Sequence, residues 1–194
     1  MAETNDISLP TSDQIERELE HEKNKRGLAR SVRRIICLLI VVAAAAVLLS
    51  TFVIPVMRIC GASMSPTLED GDIVVAIKNV SIDESDLVAF YFNNEILVKR
   101  VIAGPESRVD IDENGNVFVN SERLSEPYLT ESVTDYTGGE LTCAVPDGRY
   151  FVMGDNRKTS VDSRNSEIGC ISEDQIIGKV VLSVWPLNRL GTVE

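Results

Sequence analysis

Histidine, the commonest base in catalysis, is scarce in this sequence, and that scarcity narrows the chemistry. There is one histidine, His21, in a charged N-terminal stretch. It precedes a long apolar run, so a Ser-His-Asp or Cys-His site beyond that run is excluded if the run crosses a membrane. Cys37, Cys60, Cys143 and Cys170 show no C-x-x-C spacing. No metal site and no cofactor are therefore expected. Cys143 and Cys170 could pair in an oxidising compartment, or they could be free buried thiols. A hydrolytic site in the C-terminal part must take a carboxylate, a tyrosine or a lysine as its base.

Three segments carry the candidates. Lys99 lies in Ile96-Leu97-Val98-Lys99-Arg100-Val101-Ile102. An ammonium among apolar groups is desolvated, which lowers its pKa and makes a neutral amine accessible. Arg100 cannot serve in this way, because guanidinium keeps its proton. The plainer reading of Lys99 is an edge-strand lysine with its amine in water. Ser63 lies in Cys60-Gly61-Ala62-Ser63-Met64-Ser65-Pro66-Thr67-Leu68. There Gly61 and Ala62 leave room for a substrate backbone, and Pro66 stiffens the turn. The Ser63 N–H is a candidate oxyanion donor. A mere connecting loop is the alternative. Gly154 to Arg164 (GDNRKTSVDSR) is dense in hydrogen-bonding groups. It reads either as a salt-bridged turn or as a shell that fixes a catalytic lysine.

The elements that must position these residues follow from the pattern. Residues 35–57 are 23 positions without a charge, and a bilayer span needs roughly 20. The run is longer than the apolar core of a cleaved leader and starts after a 34-residue tail, so it reads as an uncleaved anchor. Lys23, Lys25, Arg26, Arg30, Arg33 and Arg34 flank its N-terminal side. That asymmetry predicts a cytoplasmic N-terminus and a single-pass plasma-membrane protein with residues 58–194 outside. The predicted organisation is a charged tail 1–34, helix-prone from Ser12, then an anchor helix 35–57 and an outer domain 58–194. The tail is neutral, and the outer domain carries the whole net charge of −11. Such an acidic surface argues against nucleic-acid binding. Strands are predicted over 72–77, 87–92, 96–102, 108–111, 117–120, 150–153 and 176–184, from their β-branched and aromatic content. Asn93-Asn94 suits a tight hairpin turn. Residues 121–142 read as a polar loop or insertion. The outer domain is thus expected to be mainly β, an antiparallel barrel-like or sandwich-like arrangement without a long helix.

Taken together and in order, Ser-Met-x-Pro-Thr-Leu at 63–68, Gly-Asp at 71–72, Lys-Arg-Val at 99–101 and Gly-Asp-Asn-Arg-x-x-Ser-x-Asp-Ser-Arg at 154–164 resemble bacterial type I signal peptidases. The single anchor and short outer domain look like the Gram-positive forms. The resemblance implies Ser63 as nucleophile and Lys99 as general base. It implies Ser160 as the hydroxyl that orients the lysine amine, Asp162 and Arg164 as a structural ion pair, and Met64 as a residue of the substrate cleft. It also implies membrane-embedded signal peptides of secretory preproteins as substrates, cut after a small-x-small motif. Two departures stand out. Where the family usually continues Gly-x-Pro-Gly-Asp, this chain has Ala103, Gly104, Pro105, Glu106 and Ser107, so the local turn is in question. Gly61 stands where some members have an oxyanion-stabilising serine.

Three other readings fit less well. A self-cleaving repressor-type Ser-Lys protease is soluble and carries a DNA-binding module, against the anchor and the acidic charge. A β-lactam-recognising acyltransferase needs Ser-x-x-Lys, and no serine here has a lysine three residues on. A non-catalytic anchored β-domain would have no need of both Ser63 and Lys99.

Overall fold

The computed structural model describes residues 16, 31–48, 54–129 and 139–193. They fall into two units, divided between Leu49 and Ser50. His21, Ser12 and most of the predicted tail helix lie outside the described residues.

The N-terminal unit shows one helix, α1, Ser31–Leu48, whose 18 residues are long and apolar enough to cross a membrane. At 1.5 Å per residue it is about 27 Å long, close to the bilayer hydrocarbon thickness. The apolar run does not stay helical to Met57. Val56–Arg58 is a strand, β1, paired with Ile73–Val75. Pro55 gives the reason: it has no N–H to continue a helix, while its carbonyl accepts from Ala76 N at 2.9 Å.

The second unit is built of antiparallel sheets. After β1 come β2 (Ile73–Ile77), β3 (Leu87–Phe92), β4 (Glu95–Ala103), β5 (Arg108–Ile111), β6 (Val117–Val119), β7 (Glu122–Arg123) and β8 (Leu141–Ala144). β9 (Arg149–Met153), β10 (Ile171–Ser172), β11 (Ile176–Trp185) and β12 (Gly191–Thr192) complete it. The larger sheet runs β1-β2-β11-β3-β4-β9-β10, with β12 on β11; the smaller runs β7-β6-β5-β8. The mainly β, antiparallel expectation holds. Among the described residues of this unit the only helical pieces are short 3₁₀ turns.

Two hairpins form where turn chemistry asks for them. Asn93 and Asn94 join β3 to β4 with φ of 46° and 67°, the left-handed values that a two-residue turn requires. β5 and β6 pair through Val109↔Val119 and Ile111↔Val117. The departure after β4 is absorbed by the backbone: Glu106 follows Pro105 with φ of 61°, so the turn keeps its positive φ without a glycine. β4 lies inside the larger sheet, between β3 and β9. Leu97 and Val101 pack with Val88, Phe90 and Val152, while Val98 packs with Met64, Leu68 and Leu87. Apolar groups on both sides leave a polar side chain on this strand little water. Cys143 and Cys170 are free thiols, with sulfurs 3.7 Å apart.

Candidate active site

Lys99 sits in the interior strand β4, not on an edge, and is only 3% exposed. Its Nζ is 2.7 Å from Ser63 Oγ. Burial lowers its pKa from 10.5 to about 8; the charge of Asp162 works against the shift, Arg164 adds to it, and Asp155 again opposes it. Near pH 7 about a tenth of such an amine is neutral. The exposed edge lysine is therefore the wrong description, and the reason lies in the strands on either side.

Ser63 lies in a turn that returns the chain from β1 towards β2. Ser65 N donates to Ala62 O and Leu68 N to Met64 O, while Gly71 N and Ile59 O close the turn at 2.9 Å. Met64 and Leu68 are each 1% exposed and anchor it in the core. Gly61 has φ of 88°, and its N–H donates to Asp70 Oδ1 at 2.8 Å. That donor is therefore committed to Asp70. A cleft of about 270 Å³ opens at the serine; Met57, Ile59, Met64, Ile96, Leu97 and Val98 give it an apolar wall, with Arg58, Cys60, Ser63 and Lys99 completing the lining.

The Gly154–Arg164 loop closes over the other side. Asn156 N donates to Ser63 O at 3.1 Å. Gly154 presses so closely that a Cβ there would lie 2.5 Å from Ser63 O and 2.2 Å from Ser160 Oγ. Asp162, 1% exposed, accepts from Gly154 N at 2.9 Å and from Arg164 Nε and Nη2 at 2.7 and 2.8 Å. Burial pushes its carboxyl upward, but Arg164 and the Gly154 N–H outweigh this and hold it below the usual value. Ser160 Oγ is buried without a well-formed hydrogen bond. Its nearest effects are on Gly154 and on the Asp162 carboxylate, so it is brought to the site without a bond to Lys99 Nζ.

Sequence reasoning missed a second network. Arg100, dismissed as a base, is 1% exposed and forms a two-pronged pair with Asp155, at 2.9 and 2.7 Å. Thr67 Oγ1 also donates to Asp155. This ties the serine turn, β4 and the 154–164 loop together. Tyr128, from the stretch read as a polar loop, covers Arg100 with its ring centroid 4.0 Å from Cζ. The one available signal was a second cation beside Lys99 in an apolar strand. A larger cavity, about 480 Å³, lies beside Met153, Arg157 and Arg164 and does not include Ser63 or Lys99.

An antiparallel β-domain that holds a serine hydroxyl against a buried lysine amine, at the foot of an apolar cleft, has the form of a serine peptidase with lysine in the place of histidine. The family model for signal peptidase, peptidase S26, matches residues 32–185. A signal peptidase IB of Staphylococcus aureus (strain COL) is 35% identical over 158 residues, covering 71% of this chain and 81% of the relative. Signal peptidase I T of Bacillus subtilis (strain 168) is 34% identical over 143 residues, covering 67% and 73%. A crystal structure of a signal peptidase I from Enterococcus faecalis V583 aligns with a TM-score of 0.46 at 28% identity, over 52% of this chain and 97% of that one. The chain belongs to the signal peptidase family, peptidase S26.

Proposed function

We propose that this signal-peptide-cleaving serine peptidase works through Ser63 as nucleophile and Lys99 as general base. The observation that carries the assignment is the 2.7 Å contact between Lys99 Nζ and Ser63 Oγ. Neutral Lys99 takes the hydroxyl proton as Oγ attacks the scissile carbonyl carbon. The tetrahedral oxyanion is met by the Ser63 N–H. Lys99 then gives its proton to the leaving amine, and the mature chain departs. Water, deprotonated by Lys99, attacks the Ser63 acyl-enzyme; the signal peptide leaves as a carboxylate and Ser63 regains its proton.

The apolar cleft beside Met64 suits the small side chains of a small-x-small cleavage site. Asp162 and Arg164 set the charge around Lys99, and Ser160 is assigned to packing that keeps Gly154 and the lysine in place. Helix α1 anchors the protein in the plasma membrane. The basic residues before it favour a cytoplasmic N-terminus, with the peptidase domain on the outer face, where a membrane-embedded signal peptide presents its cleavage site. The test is to incubate the full chain in detergent with a secretory preprotein and sequence the new N-terminus. Cleavage after a small-x-small site by the wild type, and none by folded Ser63→Ala or Lys99→Arg, is the expected result. Near-normal turnover by either variant sinks the assignment.

A further inference from the structure

The stretch Leu124–Leu129 (LSEPYL) spends buried charge and an aromatic ring where a connecting loop would need neither. Tyr128 lays its ring over the Arg100 guanidinium, and its hydroxyl donates to Glu126 Oε1 at 2.9 Å. The Glu126 carboxylate pairs with Arg157, and the two side chains are 9% and 4% exposed. Arg157 Nε in turn donates to Gly154 O at 3.2 Å. The strap is pinned at its start by Leu124 N on Val117 O, at 2.9 Å, and turned by Leu129 N on Glu126 O.

Two chains of contact lead from this strap to the reacting atoms. One runs from the Tyr128 ring through Arg100 to Lys99, its neighbour on β4. The other runs from Glu126 through Arg157 to Gly154, which abuts Ser63 O. A buried ion pair returns little net stability for its desolvation, so what this one supplies is position. We infer that Glu126 and Tyr128 are positioning residues for hydrolysis, the strap holding Arg100 and Gly154 so that Ser63 and Lys99 stay in contact. The inference rests on the dyad proposed above.

The test uses the purified full chain in detergent with a precursor peptide, and measures kcat, KM and the pH profile of Tyr128→Leu, Tyr128→Phe and Glu126→Gln. A cation–π contact at a desolvated site is strong enough for its loss to lower kcat roughly tenfold, with KM within about twofold. The charged groups acting on Lys99 are Asp162, Arg164 and Asp155. Without the ring, water reaches Arg100, and Asp155 is less fully neutralised. The freed Asp155 charge favours the ammonium, so the acid limb of Tyr128→Leu moves to higher pH. Tyr128→Phe keeps the ring and restores most of kcat and the wild-type limb. Glu126→Gln keeps the shape but not the charge, and lowers kcat without moving the limb, because Glu126 acts on Gly154 through Arg157. A merely structural strap would lower the melting temperature and leave the limb of the folded enzyme in place. The inference is overturned if folded Tyr128→Leu keeps kcat and limb, if Tyr128→Phe fails as badly as Tyr128→Leu, or if Glu126→Gln keeps full kcat. The last result stands even where Tyr128→Leu does not fold. A wild-type limb far from pH 8 would instead count against the dyad itself.

Discussion

Replacing Gly154 by alanine should disable the enzyme without unfolding it. A methyl there would lie 2.5 Å from Ser63 O, 2.5 Å from Ser160 Cβ and 2.2 Å from Ser160 Oγ. Ordinary contact begins at 3.4 Å, so something must retreat by about 0.9 Å in an interior packed like a crystal. Ser160 can turn its hydroxyl aside, but its Cβ and the Ser63 carbonyl are fixed to backbone. The displacement therefore reaches Ser63, whose Oγ must stay near 2.7 Å from Lys99 Nζ. A misplacement of about 1 Å costs on the order of 100-fold in rate. Overpacking should lower stability by roughly 1–3 kcal/mol, short of unfolding a typical domain. The assay is kcat on a precursor peptide, with folding followed by circular dichroism and thermal melting. Gly178→Ala serves as the comparison: its methyl would meet Ile77 O at 2.5 Å, between β11 and β2, so it should lose similar stability and keep the kcat of the folded enzyme. The reasoning is refuted if folded Gly154→Ala turns over within about threefold of wild type, or if Gly178→Ala loses kcat to the same extent.

Other substitutions probe the charges and the turn. Lowering the Lys99 pKa from 10.5 to about 8 means the folded state gives up roughly 3 kcal/mol whenever the lysine is charged in the unfolded chain. This penalty is complete below pH 8 and fades as pH rises towards 10.5. Lys99→Met should therefore be inactive yet more stable to urea at pH 7, with the gain shrinking by pH 10. Asp162→Asn removes the charge that most favours the Lys99 ammonium, so the acid limb should move to lower pH. Breaking the buried pair with Arg164 should also cost about 3–5 kcal/mol in a melt. Glu106→Gly relieves a left-handed φ of 61°; it should stabilise by up to about 1 kcal/mol after the entropy of glycine is counted, with kcat unchanged.

What could be read in the sequence was local. β3 and the β5–β6 hairpin were legible from β-branched and aromatic content and from turn residues, because a hairpin's register follows from neighbours in the chain. The end of the apolar run was not. Val56 and Met57 suit a membrane as well as a sheet, and only pairing with Val74 and Val75 decides between them. Lys99 was ambiguous for the same reason: its burial depends on β3 and β9, and the latter lies some 50 residues further on. The Arg100–Asp155 pair spans 55 residues, and nothing at either end predicts the other. Tyr128 sat in a stretch whose polarity suggested solvent, but its charges are turned inward onto Arg157 and the ring onto Arg100.

The identity of the base is tested most directly by the pH dependence of kcat/KM for the full chain on a precursor peptide between pH 5 and 10. A lysine held at about 8 predicts an activity that falls about tenfold per pH unit below that value. An acid limb centred between pH 4 and 5, where a carboxylate base would titrate, or a rate unchanged from pH 6 to 9, would contradict Lys99 as the group that activates Ser63.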